Sequence, residues 1–120
     1  MSAKIVVTPD FIRSAKKLIK KYRSLKGELS ELNKSLQENP FQGDRIGESV
    51  YKIRLAIRSK GRGKSGGARV ITFIDIEVRN EEEEVKVYLL KIYDKSDFES
   101  ISNSDFQQII NKIKPVQEEE

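Results

Sequence analysis

Apolar residues recur along this chain with two different periods, and the switches between them outline the domain. Residues 4–8 (Lys-Ile-Val-Val-Thr) are short, β-branched and strand-like. Thr8-Pro9-Asp10 ends that strand and opens a helix, with Thr8 as N-cap and Pro9 at the first helical position. Phe11, Ala15, Leu18, Tyr22 and Leu25 then follow in steps of four and three, the spacing of one helical face. Ile12 and Ile19 widen the stripe, and Lys and Arg cover the remainder. Gly27 is the expected C-cap. Leu29, Leu32 and Leu36 mark a second, shorter helix that Asn39-Pro40 ends. The two helices are expected to form a hairpin, with a loop from Phe41 to Gly47.

The period then drops to two. From Val50 to Arg58, Tyr51, Ile53, Leu55 and Ile57 face one way, and Lys52, Arg54, Ala56 and Arg58 the other. Ala68 to Ile76 and Val85 to Tyr93 read as two further strands. The glycine-rich stretch from Lys60 to Gly67 is expected to be a flexible basic hairpin loop. Arg79-Asn80 with Glu81 to Glu84 is the next turn, a solvated tip that guards strand edges. Ser102 and Asp105 resemble a capping box, and Phe106, Ile109, Ile110 and Ile113 form the inner face of a last helix that Pro115 ends. The predicted order is β-α-α-β-β-β-α. This is an α+β fold with helices packed on one face of a mainly antiparallel sheet. A single domain should span residues 1–115, with residues 116–120 as a flexible acidic tail.

Composition narrows the chemistry. Apolar content is 37% and charged content 35%, so the core must be small and the surface densely ionic. There is no Cys, which removes disulfides, thiol nucleophiles and zinc ribbons. There is no His either, which removes Ser-His-Asp triads and the usual metal ligand. No apolar run is long enough to span a membrane, and no secretory segment opens the chain. The expectation is a cytoplasmic protein with no membrane partner, no metal and no cofactor. An enzyme of this composition must work with Lys, Arg, Tyr, Asp or Glu.

The net charge of +4 conceals a strong polarity. From Arg45 to Arg69 there are eight basic residues (Arg45, Lys52, Arg54, Arg58, Lys60, Arg62, Lys64 and Arg69) and one acid, Glu48. Residues 75–84 hold six acids and one base, Arg79. A sheet face carrying Lys52, Arg54 and Arg58 suits a phosphate backbone, although exposed strands also carry such charge for solubility alone. Gly63-Lys64-Ser65 is not a P-loop. The pattern requires glycine where Arg58 stands, and a helix where the sequence reads as a strand. No nucleotide cofactor is expected. The loop glycines instead let the backbone approach a phosphate, with Lys60, Arg62 and Lys64 as counter-charges.

Three segments together, Tyr51-Lys-Ile-Arg-Leu, Gly63-Lys-Ser-Gly-Gly-Ala-Arg69-Val and Leu89-Leu-Lys-Ile-Tyr-Asp-Lys95, resemble the RelE/ParE superfamily of bacterial toxins, and most of all its RelE/HigB branch. The resemblance covers roughly residues 4–112. It implies the toxin of a type II toxin–antitoxin pair, a ribosome-dependent mRNA endonuclease that needs no metal and is neutralised by a cognate antitoxin. By position, Lys52 and Arg54 match the family's basic pair, Arg69 its Arg at the next strand's start, and Lys95 its cation after the last strand. The Tyr that some members carry beyond that point has no counterpart here, and Tyr93 is the nearest phenol.

The composition suits such chemistry. Attack by a ribose 2′-OH needs a proton acceptor, a stabiliser for the charged phosphorane and a donor to the 5′-oxygen. Arg54 and Arg69 offer forked donors that keep their charge, and Lys52 is a candidate proton acceptor among them. Two alternatives stay open on the sequence. One is a ParE-like inhibitor of DNA gyrase without catalysis, and the other is a plain RNA-binding module. An antitoxin should be acidic where it meets Lys52 to Arg69.

Overall fold

The computed structural model describes residues 3–61, 63–96 and 107–111. Its elements are β1 (Lys4–Val7), α1 (Pro9–Lys21), α2 (Leu25–Glu38), β2 (Asp44–Gly47), β3 (Val50–Leu55), a one-turn α3 (Gly63–Gly66), β4 (Ala68–Arg79) and β5 (Glu82–Asp94). The strands form one sheet in the order β1-β5-β4-β3-β2. Only β1 and β5 run parallel; the other three pairings are antiparallel. The α+β class and the mainly antiparallel sheet are as the sequence predicts.

Thr8 does double duty at the β1–α1 junction. Its hydroxyl accepts the Phe11 N–H (3.1 Å) and donates to the Leu89 carbonyl (2.8 Å), so the helix start is fixed to β5. Phe11, Ala15 and Leu18 of α1 and Leu25, Leu32 and Leu36 of α2 are buried against Ile53, Val70, Ile74, Val87 and Ile92. This is the main core, on one face of the sheet. Val50, Ile71 and Leu90 form a second, smaller cluster on the other face, where Ile110 of the helical residues 107–111 joins them. The helix hairpin therefore covers one face, and this last helical piece touches the opposite one. The expected helix start at Ser102 and Asp105, Phe106, Ile113 and the tail at 116–120 lie outside the described residues.

Several boundaries differ from the sequence reading. The first helix stops at Lys21, four residues before Leu25, and Gly27 lies inside α2 rather than capping α1. Tyr22 leaves the helix in extended conformation and donates its hydroxyl to Asp94 (2.5 Å), a tertiary bond that outweighs continued helical periodicity. The expected loop at 41–47 contains β2, an edge strand paired to Tyr51 and Lys52. The alternating run at 50–58 leaves the sheet at Leu55, and Arg58–Lys60 form a 3-10 turn. β4 and β5 run several residues farther than predicted and meet in a tight turn at Asn80-Glu81.

The described ends of the stretch from Arg58 to Gly67 are anchored rather than slack. Glu28, buried in α2, accepts the Arg58 backbone N–H (2.6 Å) and the Ser24 hydroxyl (3.2 Å). Asp94, buried at the end of β5, accepts from Lys60 Nζ (2.5 Å), the Tyr22 hydroxyl (2.5 Å) and both the backbone N–H and the hydroxyl of Ser96 (3.0 and 2.8 Å). Burial alone would raise the carboxyl's pKa. Lys60, Tyr22 and Ser96 outweigh it and hold the group well below the usual carboxylate range. At Gly67 a Cβ would stand 2.0 Å from the Leu55 carbonyl oxygen, so only glycine admits this approach.

Candidate nucleic-acid interface

The face of the sheet opposite the helix hairpin gathers the cations. β3 turns Ile53 into the main core, so Lys52 and Arg54 project from the other side. The β3–β4 register sets Arg54 opposite Arg69, and the β4–β5 register sets Arg69 opposite Tyr93. One step along, Lys52 lies opposite Ile71, and Ile71 opposite Lys91. Two parallel rows therefore cross the sheet: Arg54, Arg69 and Tyr93; then Asp44, Lys52, Ile71 and Lys91. Residues directly opposed on adjacent strands hold their Cβ atoms roughly 5 Å apart.

A bulge aims the last strand. Thr72 pairs with Leu89 and Ile71 with Lys91, which leaves Leu90 as an extra residue in β5. Val85, Val87 and Leu89 face the helix hairpin, and without the bulge Lys91 and Tyr93 would follow them there. The extra residue flips the parity. Ile92 and Asp94 turn to the hairpin, and Lys91 and Tyr93 turn to the cationic face.

Arg69 is the centre of the first row and is only 7% exposed. Its Nη1 donates to the Ala68 carbonyl (3.1 Å), which fixes the guanidinium to the strand's own backbone. Arg54, by contrast, is exposed. Two arginines set directly opposite each other on one sheet face repel. Tyr93 is half-buried. Burial raises the pKa of its phenol and the charge of Arg69 partly opposes that, so at neutral pH it carries its proton and can donate it. Among the described residues no carboxylate lies within ion-pair distance of Lys52, Arg54 or Lys91.

The remaining sequence candidates stand elsewhere. Arg58 does not share the face of Lys52 and Arg54, because β3 has ended. It pairs with Glu28 (3.5 Å) and Glu31 (3.4 Å) of α2. Lys60 is engaged by the buried Asp94. Lys64 lies within α3, and Arg62 lies outside the described residues. Lys95 follows β5, is exposed, and donates its backbone N–H to the Gly67 carbonyl (2.9 Å). Arg69 does not take Asp75 or Glu77 as cross-strand neighbours; those face Lys86 and Glu84. Sequence reasoning passed over Lys91, Asp94 and Glu28. Period two back from Tyr93 could have found Lys91, but the two buried acids carry no local signal.

A solved structure shares this architecture: a free-state mutant of the toxin RelE from E. coli. It superposes with a TM-score of 0.53, covering 94% of this chain and 99% of that one, at 16% sequence identity. The chain has the RelE fold. The resemblance read from the three segments is borne out at that level. The sequence matches no known family profile. Within the RelE fold, the cationic rows occupy the sheet face away from the helix hairpin. No helix among the described residues is long and apolar enough to cross a membrane.

Proposed function

We propose that this protein is a RelE-like toxin of a type II toxin–antitoxin pair, a metal-independent endonuclease that cuts mRNA on the ribosome in the cytoplasm and is neutralised by a cognate antitoxin. The observation that carries this reading is the row of Arg54, Arg69 and Tyr93 with Lys52 beside it on the same face. Like charges set opposite each other repel, and an anion between them is attracted to both.

In this reading the scissile phosphate sits over Arg54 and Arg69. A ribose 2′-oxygen attacks phosphorus, the new P–O2′ bond forms, and the P–O5′ bond breaks. Lys52, acting in its neutral amine form, takes the 2′-OH proton and becomes an ammonium. Tyr93, which keeps its own proton at neutral pH, donates it to the departing 5′-oxygen. The two guanidiniums hold the added negative charge of the phosphorane, and Arg69 does so from a nearly buried, pre-set position. Lys95 would meet the same backbone from beyond β5. The ribosome supplies substrate positioning. An antitoxin that closes this face should present acids to Lys52, Arg54 and Arg69.

Induced expression should arrest growth and cut translated mRNA. Replacing Lys52, Arg54 and Arg69 together by Ala should abolish both while circular dichroism shows a folded protein. Arg69 is nearly buried, so Lys52→Ala/Arg54→Ala, which changes strand-surface residues only, is the companion variant. Full cleavage by either folded variant, or gyrase inhibition without mRNA cleavage, would overturn the proposal.

A further inference from the structure

A groove runs along the free edge of β5. β1 pairs with β5 only as far as Leu89. Beyond that point α1 borders the strand, and the Ser14 hydroxyl accepts the Ile92 N–H (3.2 Å). Between α1, the end of β5 and the helical residues 107–111 lies a cavity of about 430 Å³. That is the size of a small-ligand site, about 300–1,000 Å³. A second hollow of about 420 Å³ shares Asp10, Arg13 and Ile109 with it and extends it toward Tyr88.

The lining has a definite character. Half-buried Ile109 gives it an apolar wall, backed by the nearly buried Leu18 and Ile92. Two acids reach it, and both are engaged: Asp10 pairs with Arg13, and Asp94 holds Lys60, Tyr22 and Ser96. Lys17 and Lys91 remain, with no carboxylate within ion-pair distance among the described residues. Tyr93 lines the groove and also ends the row of Arg54 and Arg69, so groove and cationic face form one continuous path.

We infer that this groove holds the nucleotide of single-stranded RNA next to the scissile phosphate. The unstacked base lies against the apolar wall beside the Tyr93 ring, and Lys91 and Lys17 meet its phosphate. The inference rests on the endonuclease reading and adds α1 to the substrate path. A flat cationic sheet would hold a backbone alone. An apolar slot with two cations at its rim suits a base and a phosphate together.

The test uses the whole protein and a short fluorescein-labelled 2′-O-methyl RNA, which cannot be cleaved through its 2′-oxygen. Anisotropy titrations over a salt series compare the unaltered protein, Lys17→Ala/Lys91→Ala and Lys52→Ala/Arg54→Ala. The groove variant should bind more weakly, and its slope of log affinity against log salt should shrink by about 0.7 for each phosphate it no longer neutralises. If the groove variant keeps affinity and slope while the sheet variant loses both, the groove assignment is overturned and the cleavage site stands. If neither variant differs from the unaltered protein, or that protein binds no RNA, the groove assignment falls, and cleavage of ribosome-bound mRNA by the sheet variant decides the other reading separately.

Discussion

The two ends of the β4–β5 hairpin are made from the same two strands and treat charge in opposite ways. At the base, Arg69, Thr72 and Asp94 are buried. At the tip, Ile76 and Val78 are 47% and 68% exposed. Hydrophobicity would order them the other way. Neighbours decide: β3 flanks β4 at residues 68–73, β1 flanks β5 at 86–89, and neither reaches the last turns. From Glu77 to Glu84 the two strands pair only with each other, a ribbon that would be marginal alone. Glu77 meets Lys86 at 3.3 Å, and the more exposed Glu84 at 3.7 Å is a solvated partner of small worth. The lesson is where stability is spent. The base supports opposed arginines and a buried carboxylate because three elements converge there, and the tip carries its acids at no such cost.

The sharpest way to break the contrast is to remove the charge buried at the base. Asp94→Asn leaves an amide that can still bond Tyr22 and Ser96, but it strands Lys60, which is 12% exposed. Removing one partner of a buried pair costs about 3 kcal/mol. The pH dependence has a definite sign. The folded-state pKa is depressed, so the stabilisation is present above the unfolded value near ~4 and fades as pH falls toward the folded one. Urea denaturation should show a constant gap between the two proteins at neutral pH that narrows below about pH 4. A gap that is absent at pH 7, or that widens in acid, would show that Asp94 does not anchor the base.

The next effect tests the close approach beside the arginine pair. Gly67 precedes Ala68, whose partner is Leu55, one register step from Arg54 and Arg69. In Gly67→Ala the new methyl would meet the Leu55 carbonyl oxygen at 2.0 Å, so β3 and β4 must part there. Forced overpacking of this kind costs about 1–3 kcal/mol. The variant should also weaken RNA binding, because its strain falls on the arginine row. Wild-type stability with weakened binding would place the effect at the site alone. No change in either would mean the two strands do not meet as closely as described.

How much of this was legible beforehand follows from the range of each signal. The cap at Thr8, the core stripe of α1 and the two faces of β3 up to Leu55 are local periodicities, and the sequence carries them directly. The end of α1 at Lys21 is not local, because Tyr22 answers to Asp94, 72 residues away. The strand at Asp44–Gly47 is short and polar, and only its pairing with β3 makes it a strand. The cationic site was half legible. Lys52 and Arg54 followed from alternation, and Arg69 and Tyr93 from resemblance. Their convergence needed the Leu90 bulge, since uninterrupted alternation would have turned Tyr93 toward the helices. Arg58 and Lys60 looked the same in sequence as Lys52 and Arg54. What separates them is two buried acids, Glu28 and Asp94, that no pattern announced.

The smallest effect belongs to the tip and should have the opposite sign. Asn80 and Glu81 both hold positive φ, 52° and 68°, between the paired Arg79 and Glu82. That is a two-residue turn whose twist matches the strands, and it favours Asn-Gly. Asn80 already suits it. Glu81 carries a Cβ in the left-handed region, at a cost of roughly 1–2 kcal/mol. Glu81→Gly relieves that strain but gives the unfolded chain more freedom, so the net gain should be about 0.5 kcal/mol. Thermal denaturation should show a rise of about 2 °C. RNA cleavage should be unchanged, because the base of the hairpin is untouched. A loss of stability would mean that the tip does not hold this turn. A change in cleavage would mean that the two ends of the hairpin are coupled, and the independence argued from their separate neighbours would fail.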